Sequence, residues 1–394
     1  MRPRRRDERS TTDGEQGESV VAAALGPHGF RMPAEWEPHH ATWLVWPHAR
    51  ADWEVKTAAV EWCYADIVRY LVRGERVAII YSDEAVRRRA ERRLRRTGVD
   101  PERIDAHVIP TDRSWVRDCG PIFVVRGEDD QRTVAATDWR FNGWARYRAW
   151  ERDDALPGAV AGRLRMRRFE IGTDTDRGPR GVVLEGGSID VNGQGLLLTT
   201  EECLLGHDQA RNPGLPRAGL ERVLRQVLGI ERVLWLGRGI AGDDTHGHVD
   251  DVARFVRPDT VVAAVEHDVR DDNYAPLAEN LRRLRTMHDL QGRPLRVITV
   301  PMPRPLFFDG QRLPASYLNF YIGNDMVLVS TFNDPADRVA LGILAELFPG
   351  REVVGIHAGD LILGLGAVHC ITQQQPRGRH AAPAEESVAP SPTI

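Results

Sequence analysis

The sequence predicts an α/β fold made of repeated strand–helix–strand units. Amphipathic helices, with apolar residues at intervals of three and four, pass through short turns into β-branched strands. Further strand-like segments fall between these units, and no linker-like stretch is long enough to separate two domains. Because the repeats are strongly diverged, the alternation suits a doubly wound sheet as well as an arrangement of internal repeats.

Five helix–strand passages support this expectation. In chain order they are 58–73 into 77–81, 83–96 into 106–110, 220–228 into 233–236, 277–289 into 297–300, and 335–348 into 353–357. In the last helix, the apolar residues at helical spacing are Val339, Ile343, Leu344 and Leu347. The strand-like segments between the units are 133–141, 196–200, 261–265, 318–322 and 326–330.

The two ends of the chain lack this pattern. Residues 1–30 are polar and mixed in charge, and residues 377–394 are rich in Pro, Ala and Ser, so both are predicted to be disordered tails. Residues 31–376 are predicted to form one domain. The only early apolar run, 20–26, is short for a signal peptide, and no stretch approaches the ~20 apolar residues of a membrane span, so a cytoplasmic location is expected.

Composition excludes several classes of function. The net charge of −4 disfavours a general nucleic-acid binder. Lys56 is the only lysine and matches no P-loop or Schiff-base motif, which disfavours lysine chemistry. The four cysteines form no CxxC pair and are expected to be reduced thiols instead of disulfides or a structural zinc site.

Five glycine-rich polar segments interrupt apolar surroundings: 114–121, 139–144, 184–188, 243–251 and 364–374. Cys370 follows a Gly-x-Gly turn, lies beside His369 and precedes a Thr-Gln-Gln run, which favours a reactive thiol over simple packing. Cys63 and Cys203 lie in apolar surroundings and are expected to pack in the core, whereas Cys119, in an Arg-Asp-Cys-Gly-Pro turn, is ambiguous.

Segment 243–251 alternates histidine with aspartate before a buried strand, and two functional interpretations remain open. His246, His248 and Asp250 have ligand types suited to zinc or a related metal, which would indicate a metal-dependent hydrolase. Alternatively, His248 is a general acid/base that serves a cysteine elsewhere in the fold. A metal would leave Cys370 and the acidic turns without a role.

Two more carboxylates, Asp118 and Glu185, lie beside glycines at the edges of apolar runs. A lone acid in such a turn is usually a cap or turn former. Together with Asp250, however, they indicate a site that collects negative charge, and buried carboxylates are costly without a positive partner. A planar guanidinium, whose N–H groups pair with carboxylates two at a time, would be a suitable substrate group.

The motifs as a set resemble the agmatine deiminase family of guanidino-group-modifying enzymes (the pentein superfamily), which is related to bacterial peptidyl-arginine deiminases. The matching segments run in family order and are 32–39, 117–121, 139–144, 185–187, 247–250, 315–321 and 369–374. The resemblance implies a five-bladed pseudo-symmetric α/β-propeller over residues 31–376, which would be the catalytic domain. Two departures concern substrate preference: Ala367-Val368 replaces a common Gly-Asn, and His246 replaces a common aspartate.

The resemblance also implies the role of each site residue. Cys370 would be the nucleophile and His248 the general acid/base, with Glu185 orienting His248. Asp118 and Asp250 would hold the guanidinium. The other implied substrate-binding residues are Trp115, Asn142 and Trp144, and no metal or cofactor is implied.

The implied enzyme is a cytoplasmic hydrolase of linear amidine C–N bonds. It would convert agmatine into N-carbamoylputrescine and ammonia through a covalent cysteine thiouronium, a step toward putrescine. Free arginine, peptidyl-arginine or another guanidino compound is the alternative substrate. Glu35 and Glu37, with the two tryptophans, are candidate lining residues for the far amine. The expected partner is this small substrate, without nucleic acid or membrane, and a homo-oligomer is compatible with the sequence.

Overall fold

The structure of the chain is a computed structural model that describes residues 29–175 and 178–383. The predicted tails, 1–30 and 377–394, lie outside the described residues except for 29–30 and 377–383. In the latter stretch a short strand, Arg379–His380, pairs with Thr133–Asp138, beyond the predicted domain boundary at residue 376. Within the described ranges, no helix has the length and apolar composition that crossing a membrane requires.

The strands and helices are numbered in chain order. The strands are β1 His39–Val45, β2 Arg76–Tyr81, β3 Ile104–Val108, β4 Ile122–Arg126, β5 Thr133–Asp138, β6 Arg168–Glu170, β7 Gly172–Thr175, β8 Gly178–Gly181, β9 Asp190–Val191, β10 Leu196–Thr200, β11 Arg232–Leu236, β12 Ala253–Arg257, β13 Thr260–Val265, β14 Arg296–Pro301, β15 Phe307–Phe308, β16 Gln311–Arg312, β17 Tyr321–Ile322, β18 Met326–Thr331, β19 Glu352–His357, β20 Gln373–Pro376 and β21 Arg379–His380. The α-helices are α1 Arg50–Trp53, α2 Thr57–Leu71, α3 Glu84–Arg96, α4 Val116–Cys119, α5 Glu151–Asp154, α6 Leu156–Leu164, α7 Glu201–Leu205, α8 Arg217–Leu228, α9 Tyr274–Leu284 and α10 Ala336–Leu347. Short 3-10 turns lie at Glu54–Lys56, Pro101–Arg103, Asp129–Gln131, Gly143–Ala145, Gly186–Ser188, Val249–Asp251 and Leu361–Gly364.

Most strands of the described residues belong to five mixed sheets, each of three or more strands. In every one of these sheets an antiparallel pair is extended by a parallel strand that the chain reaches through helices. The units are β20-β1 extended by β2 and β3, β4-β5 by β6, β9-β10 by β11, β12-β13 by β14, and β17-β18 by β19. The predicted α/β class with internal repeats is therefore confirmed. The doubly wound sheet is wrong, because these sheets are small and mixed.

Local sequence explains where several helices begin and end. Asp83 caps α3, since its Oδ1 accepts the N–H groups of Ala85 and Val86 at 2.7 and 2.8 Å. Gly229 ends α8 in the left-handed conformation at φ 66°, which glycine adopts without strain. The apolar faces of α2, α8, α9 and α10 pack on the sheets, and the core consists of two clusters of buried side chains.

Two details of the predicted elements are wrong. The buried face of α10 consists of Ala340, Leu344 and Leu347, so Leu344 and Leu347 are buried as predicted, whereas Val339 is 51% exposed. The strand predicted at 318–322 is only the two-residue β17. Its first part cannot pair as a strand because the buried Arg254 guanidinium donates to the carbonyls of Leu318 and Phe320 at 3.2 and 2.8 Å.

The five mixed sheets share a feature that determines where the site lies. A short turn or single helical turn immediately precedes the first strand of each antiparallel pair. These segments precede β4, β9, β12, β17 and β20, and they carry Asp118, Glu185, His248 with Asp250, Asn319 and Cys370 respectively. Every residue predicted to be catalytic therefore occupies an equivalent position in its repeat.

Candidate active site

Cys370 lies in the turn before β20, where its side chain is 7% exposed. Its Sγ lies 3.1 Å from Asn319 Nδ2 and 3.9 Å from Asp250 Oδ2. Asn319 also fixes the turn, because its Oδ1 accepts the His369 N–H at 2.9 Å. Burial and the neighbouring carboxylates Asp250, Asp251 and Asp118 raise the pKa of the Cys370 thiol well above its usual value.

His248 follows a strained turn in which His246 and Gly247 have φ values of 65° and 97°. Asp243 holds this turn, since its Oδ2 accepts the N–H groups of Gly247 and His248 at 2.8 and 3.1 Å. The imidazole is buried, and neither ring nitrogen has a hydrogen-bond partner among the described residues. Its Nδ1 lies 3.7 Å from Asp118 Oδ1, and its Nε2 lies 3.9 Å from Glu185 Oε2.

The charge around His248 favours its protonated form. Burial alone would lower the pKa of His248, but it is outweighed by Asp118, by Cys203 and by Asp250, so that the pKa lies well above its usual value. A buried imidazole with a raised pKa is suited to donate a proton inside the site.

Asp118 lies in α4 and accepts two hydrogen bonds from neighbouring segments. Its Oδ1 accepts the Gly187 N–H at 3.0 Å, and its Oδ2 accepts Nε1–H of Trp144 at 2.9 Å. Burial raises the pKa of Asp118 to about 6, and the charges of Asp250 and Glu185 act in the same direction. A cation bound here would therefore gain a counter-ion above about pH 6.

Asp250 is fully buried and its two oxygens differ in environment. Oδ2 lies 2.7 Å from His369 Nδ1 and accepts from Asn319 Nδ2 at 3.3 Å, whereas Oδ1 has no hydrogen-bond partner among the described residues. Burial acts to raise the pKa of Asp250, but His369, His248 and Arg254 outweigh it and the pKa is lowered. Asp250 therefore offers one unoccupied carboxylate oxygen beside the thiol.

Glu185 lies at the start of the Gly186–Ser188 turn and is completely buried. Its Oε1 accepts from Arg211 Nε at 3.0 Å, while Oε2 has no partner among the described residues and faces His248. Arg211 thus supplies the positive charge that a buried carboxylate needs.

The side chains converge over Gly187. A methyl group added at this Cα would lie 2.5 Å from His248 Nδ1, 2.8 Å from Asp118 Oδ1 and 3.1 Å from Asp250 Oδ2. Only glycine leaves this space open. The structure thus places Cys370, His248, Glu185, Asp118 and Asp250 close to one another.

The predicted lining residues fall into two groups. Trp144 bonds Asp118, and Asn142 accepts the Ala145 N–H at 2.8 Å in the turn that carries Trp144. Trp115 lies against Gly366, where an added methyl group would be 2.5 Å from its Cζ3 and 3.1 Å from Cys370 Cβ. These aromatic rings lie beside the predicted site.

Glu35 and Glu37, in contrast, are wrong as lining residues for an amine. Glu35 is buried against Arg254 at 3.0 Å and Arg117 at 3.2 Å. Glu37 pairs with Arg31 at 2.6 Å and also with Arg132. Their carboxylates are neutralised by arginines of this chain and are not free for a substrate.

The proposed metal ligands His246, His248 and Asp250 do not converge. In the described part of the chain, the side chains whose possible ligand atoms lie within 4.8 Å of one another are Glu185, Cys203 and His248. His246 is partly exposed and belongs to the turn before the site. The metal-site interpretation of this triplet is therefore wrong.

Several functional neighbours were not predicted to act in the site. His369 and Asn319 lie in motifs that the sequence displayed, but only the fold shows that they contact Asp250 and Cys370. Cys203 was expected to pack in the core and is indeed buried, although its thiol lies beside His248 and Glu185. Nothing in the sequence singles out Arg211 from the many other arginines.

The chain is similar in sequence and in fold to known proteins. A sequence profile of the Porphyromonas-type peptidyl-arginine deiminase family matches residues 31–376. The agmatine deiminase of Pseudomonas aeruginosa (strain LESB58) is 39% identical over 376 residues, covering 90% of this chain and 97% of the relative. The structure of the agmatine deiminase of Enterococcus faecalis is 32% identical with a TM-score of 0.81, covering 92% and 100% of the two chains. A C. jejuni agmatine deiminase with substrate bound is 26% identical with a TM-score of 0.76, covering 89% and 97%.

Proposed function

The chain belongs to the Porphyromonas-type peptidyl-arginine deiminase family, and from this premise we propose that it is an agmatine deiminase, a hydrolase that converts agmatine into N-carbamoylputrescine and ammonia. The observation that carries the proposal is the convergence of His248, Asp118 and Asp250 over Gly187, with the Cys370 thiol 3.9 Å from Asp250. Glu185 faces the same histidine from 3.9 Å. The identity of 39% to an agmatine deiminase over nearly the full length of both chains supports the choice of substrate.

In this proposal the guanidinium binds between Asp118 and Asp250. Both are buried, both lie around Gly187, and Asp250 Oδ1 has no partner of its own among the described residues. A cation placed here neutralises the carboxylates, which costs less than leaving them uncompensated in a buried site. The same cation lowers the pKa of the Cys370 thiol, so the thiolate forms mainly once substrate is bound.

The first half of the reaction expels ammonia. The Cys370 thiolate attacks the central guanidinium carbon, which forms the S–C bond of a tetrahedral adduct. Protonated His248 donates its proton to an NH₂ nitrogen, the C–N bond breaks, and ammonia leaves. A covalent S-alkylthiouronium cation remains, stabilised by Asp118 and Asp250.

The second half hydrolyses this intermediate. Neutral His248 takes a proton from water while the water oxygen bonds to the thiouronium carbon. The new adduct collapses, the C–S bond breaks, and the thiolate of Cys370 is restored. The hydroxyl proton is lost to solvent as the urea-type product forms, and His248 again carries its proton for the next turnover. Glu185 orients His248 throughout, since its Oε2 faces the ring.

The far amine of agmatine is proposed to lie toward Asp244. Trp144 contacts Asp118, its ring lies 5.8 Å from that of Tyr147, and the Tyr147 hydroxyl donates to Asp244 Oδ2 at 2.5 Å. A wall of aromatic side chains thus leads from the guanidinium site to a second acidic group. Asp52 has a buried oxygen, Oδ2, without a partner among the described residues, but its Oδ1 accepts from Arg113 Nη1 at 2.9 Å, so its charge is already paired. An acidic end suits an amine and disfavours the α-carboxylate of free arginine.

We also propose that the five mixed sheets are the five blades of a pseudo-symmetric α/β-propeller. The sheets share one strand pattern, and the antiparallel pairing of β20 with β1 joins the two ends of residues 31–376 in a single sheet. The position of the catalytic residues before the first strand of each pair fits blades that surround one centre.

The test is an ammonia-release assay on purified protein with agmatine, arginine, arginine peptides and guanidinobutyrate. We expect turnover with agmatine to exceed that with the others, and Cys370→Ser to abolish it while Cys63→Ser, which changes a thiol outside the site, retains it. Dialysis against a chelator should leave the activity intact. A preference for peptidyl-arginine would show that the assignment of agmatine as the substrate is wrong. Activity in Cys370→Ser would overturn the mechanism.

A further inference from the structure

Two motifs that are distant in sequence, 32–39 and 369–374, meet in a buried chain of polar side chains beside the nucleophile. His369 Nδ1 lies 2.7 Å from Asp250 Oδ2, and His369 Nε2 lies 2.8 Å from Glu35 Oε2. The ring is 2% exposed. His369 therefore links Asp250 to a carboxylate that pairs with Arg117 and Arg254.

Glu35 is a rigid anchor for this link. Its Oε1 accepts from Arg254 Nη2 at 3.0 Å and from the Ile322 N–H at 2.8 Å, and its Oε2 accepts from Arg117 Nη2 at 3.2 Å. Burial acts to raise the pKa of Glu35, but Arg254, His369 and Arg117 hold it well below its usual range. Glu35 is accordingly ionised and saturated with donors.

We propose that His369 is a positioning residue that donates hydrogen bonds to Glu35 and Asp250 at once and so holds Asp250 ionised with Oδ1 facing the substrate. An ionised carboxylate only accepts hydrogen bonds, so a ring between two of them donates to both when each nitrogen carries a proton. Asn319 gives Oδ2 a further donor at 3.3 Å. The inference rests on the proposed function, because it makes the guanidinium the partner of Oδ1.

The groups around Asp250 determine how the loss of His369 changes the pH dependence of kcat/KM. The charged or titratable groups that face Asp250 are His369, His248, Arg254, Asp118, Asp251 and Cys370. His369 is the nearest of the positive partners. When His369 is removed, its hydrogen bond no longer offsets the repulsion from the acidic neighbours. The pKa of Asp250 therefore rises. The acid limb of kcat/KM then moves to higher pH, and KM rises at neutral pH.

His369→Asn and Glu35→Gln test this role. For His369→Asn we expect a ~10–100-fold rise in KM for agmatine, the loss given by one charge-assisted hydrogen bond, together with a shifted acid limb and a smaller change in kcat. Glu35→Gln preserves the shape of the side chain. It should raise KM and shift the acid limb in the same direction as His369→Asn, but by smaller amounts. Wild-type KM and pH profile in both variants would overturn the proposal.

A matched control separates positioning from folding. Asp190 bonds the Nε of the same Arg254 whose Nη2 holds Glu35, but it does not contact His369. Asp190→Asn should therefore lower the unfolding temperature without shifting the acid limb. An equal shift in this variant would indicate a structural effect of the arginine and overturn the specific role of His369.

A spectroscopic measurement is independent of turnover. In protein labelled with ¹⁵N-histidine, the ring signals that vanish in His369→Asn belong to His369. We expect both ring nitrogens of His369 to carry a proton, because each lies within hydrogen-bond distance of a carboxylate oxygen. One unprotonated nitrogen would overturn the inference even if agmatine is confirmed as substrate. A doubly protonated ring with no ammonia release from agmatine would overturn only the proposed function.

Discussion

Trp144→Phe should move the acid limb of kcat/KM for agmatine to higher pH by about one unit. Burial raises the pKa of Asp118 to about 6, and the hydrogen bond from Trp144 Nε1 at 2.9 Å is one of the contacts that hold it from rising further. Phenylalanine keeps a ring but has no N–H. A hydrogen bond to a charged group contributes ~1.5 kcal/mol or more, and one pKa unit corresponds to ~1.4 kcal/mol.

The sign follows from which form of Asp118 binds a cation. As the pH falls through about 6, Asp118 takes up a proton and no longer neutralises the guanidinium, so kcat/KM falls. In the variant the pKa of Asp118 is higher, so the fall begins at higher pH. Well above this range both enzymes have an ionised Asp118, and their kcat/KM values should converge.

The assay is ammonia release at subsaturating agmatine across the pH range, with Trp139→Phe as the control. Trp139 is as buried as Trp144, and its Nε1 donates to Thr137 Oγ1 at 2.9 Å, away from the site. The control should lose a buried hydrogen bond and keep the wild-type acid limb. An unchanged limb in Trp144→Phe, or an equal shift in both variants, would refute the reasoning.

Two further variants test the geometry of the site. Gly187→Ala places a methyl group 2.5 Å from His248 Nδ1, so kcat/KM should fall by ~10²-fold or more. The control Gly342→Ala, in open space on α10, should leave kcat/KM unchanged. Near-normal activity in Gly187→Ala would contradict the proposed substrate site. Asp244→Asn should raise KM for agmatine by ~10-fold or more but leave KM for butylguanidine, which lacks the far amine, unchanged; equal effects on both compounds would rule out an amine contact at Asp244.

Much of the fold could be predicted because helical and strand periodicities are local properties. The helices α2, α3, α8, α9 and α10 all lie where spacing placed them. The pairing of strands is not local, which is why a doubly wound sheet remained open. The segment 318–320 illustrates the limit: its apolar residues suit a strand, but the distant Arg254 takes their carbonyls.

The site could be predicted as a set of residues but not as a set of contacts. Cys370, His248 and the carboxylates have reactive chemistry and glycine-flanked positions, which are visible in sequence. Glu35 has the same chemistry, yet it is neutralised by Arg117 and Arg254 and lies behind His369. Whether a carboxylate faces substrate or arginine depends on partners hundreds of residues away, and local pattern contains no such information.

The electrostatics of the site suggest why the reaction would require a cation and then release its product. In the free protein, burial and the neighbouring carboxylates raise the pKa of Cys370, which favours the neutral thiol. The carboxylates outweigh burial at His248 and raise its pKa, which favours the protonated imidazole. A guanidinium between Asp118 and Asp250 offsets their charge, so binding and activation of the thiol are the same event. The carbamoyl group of the product is neutral. Its formation removes the counter-ion, restores the repulsion among the carboxylates and returns the thiol to its unreactive form, which favours departure of this end of the product.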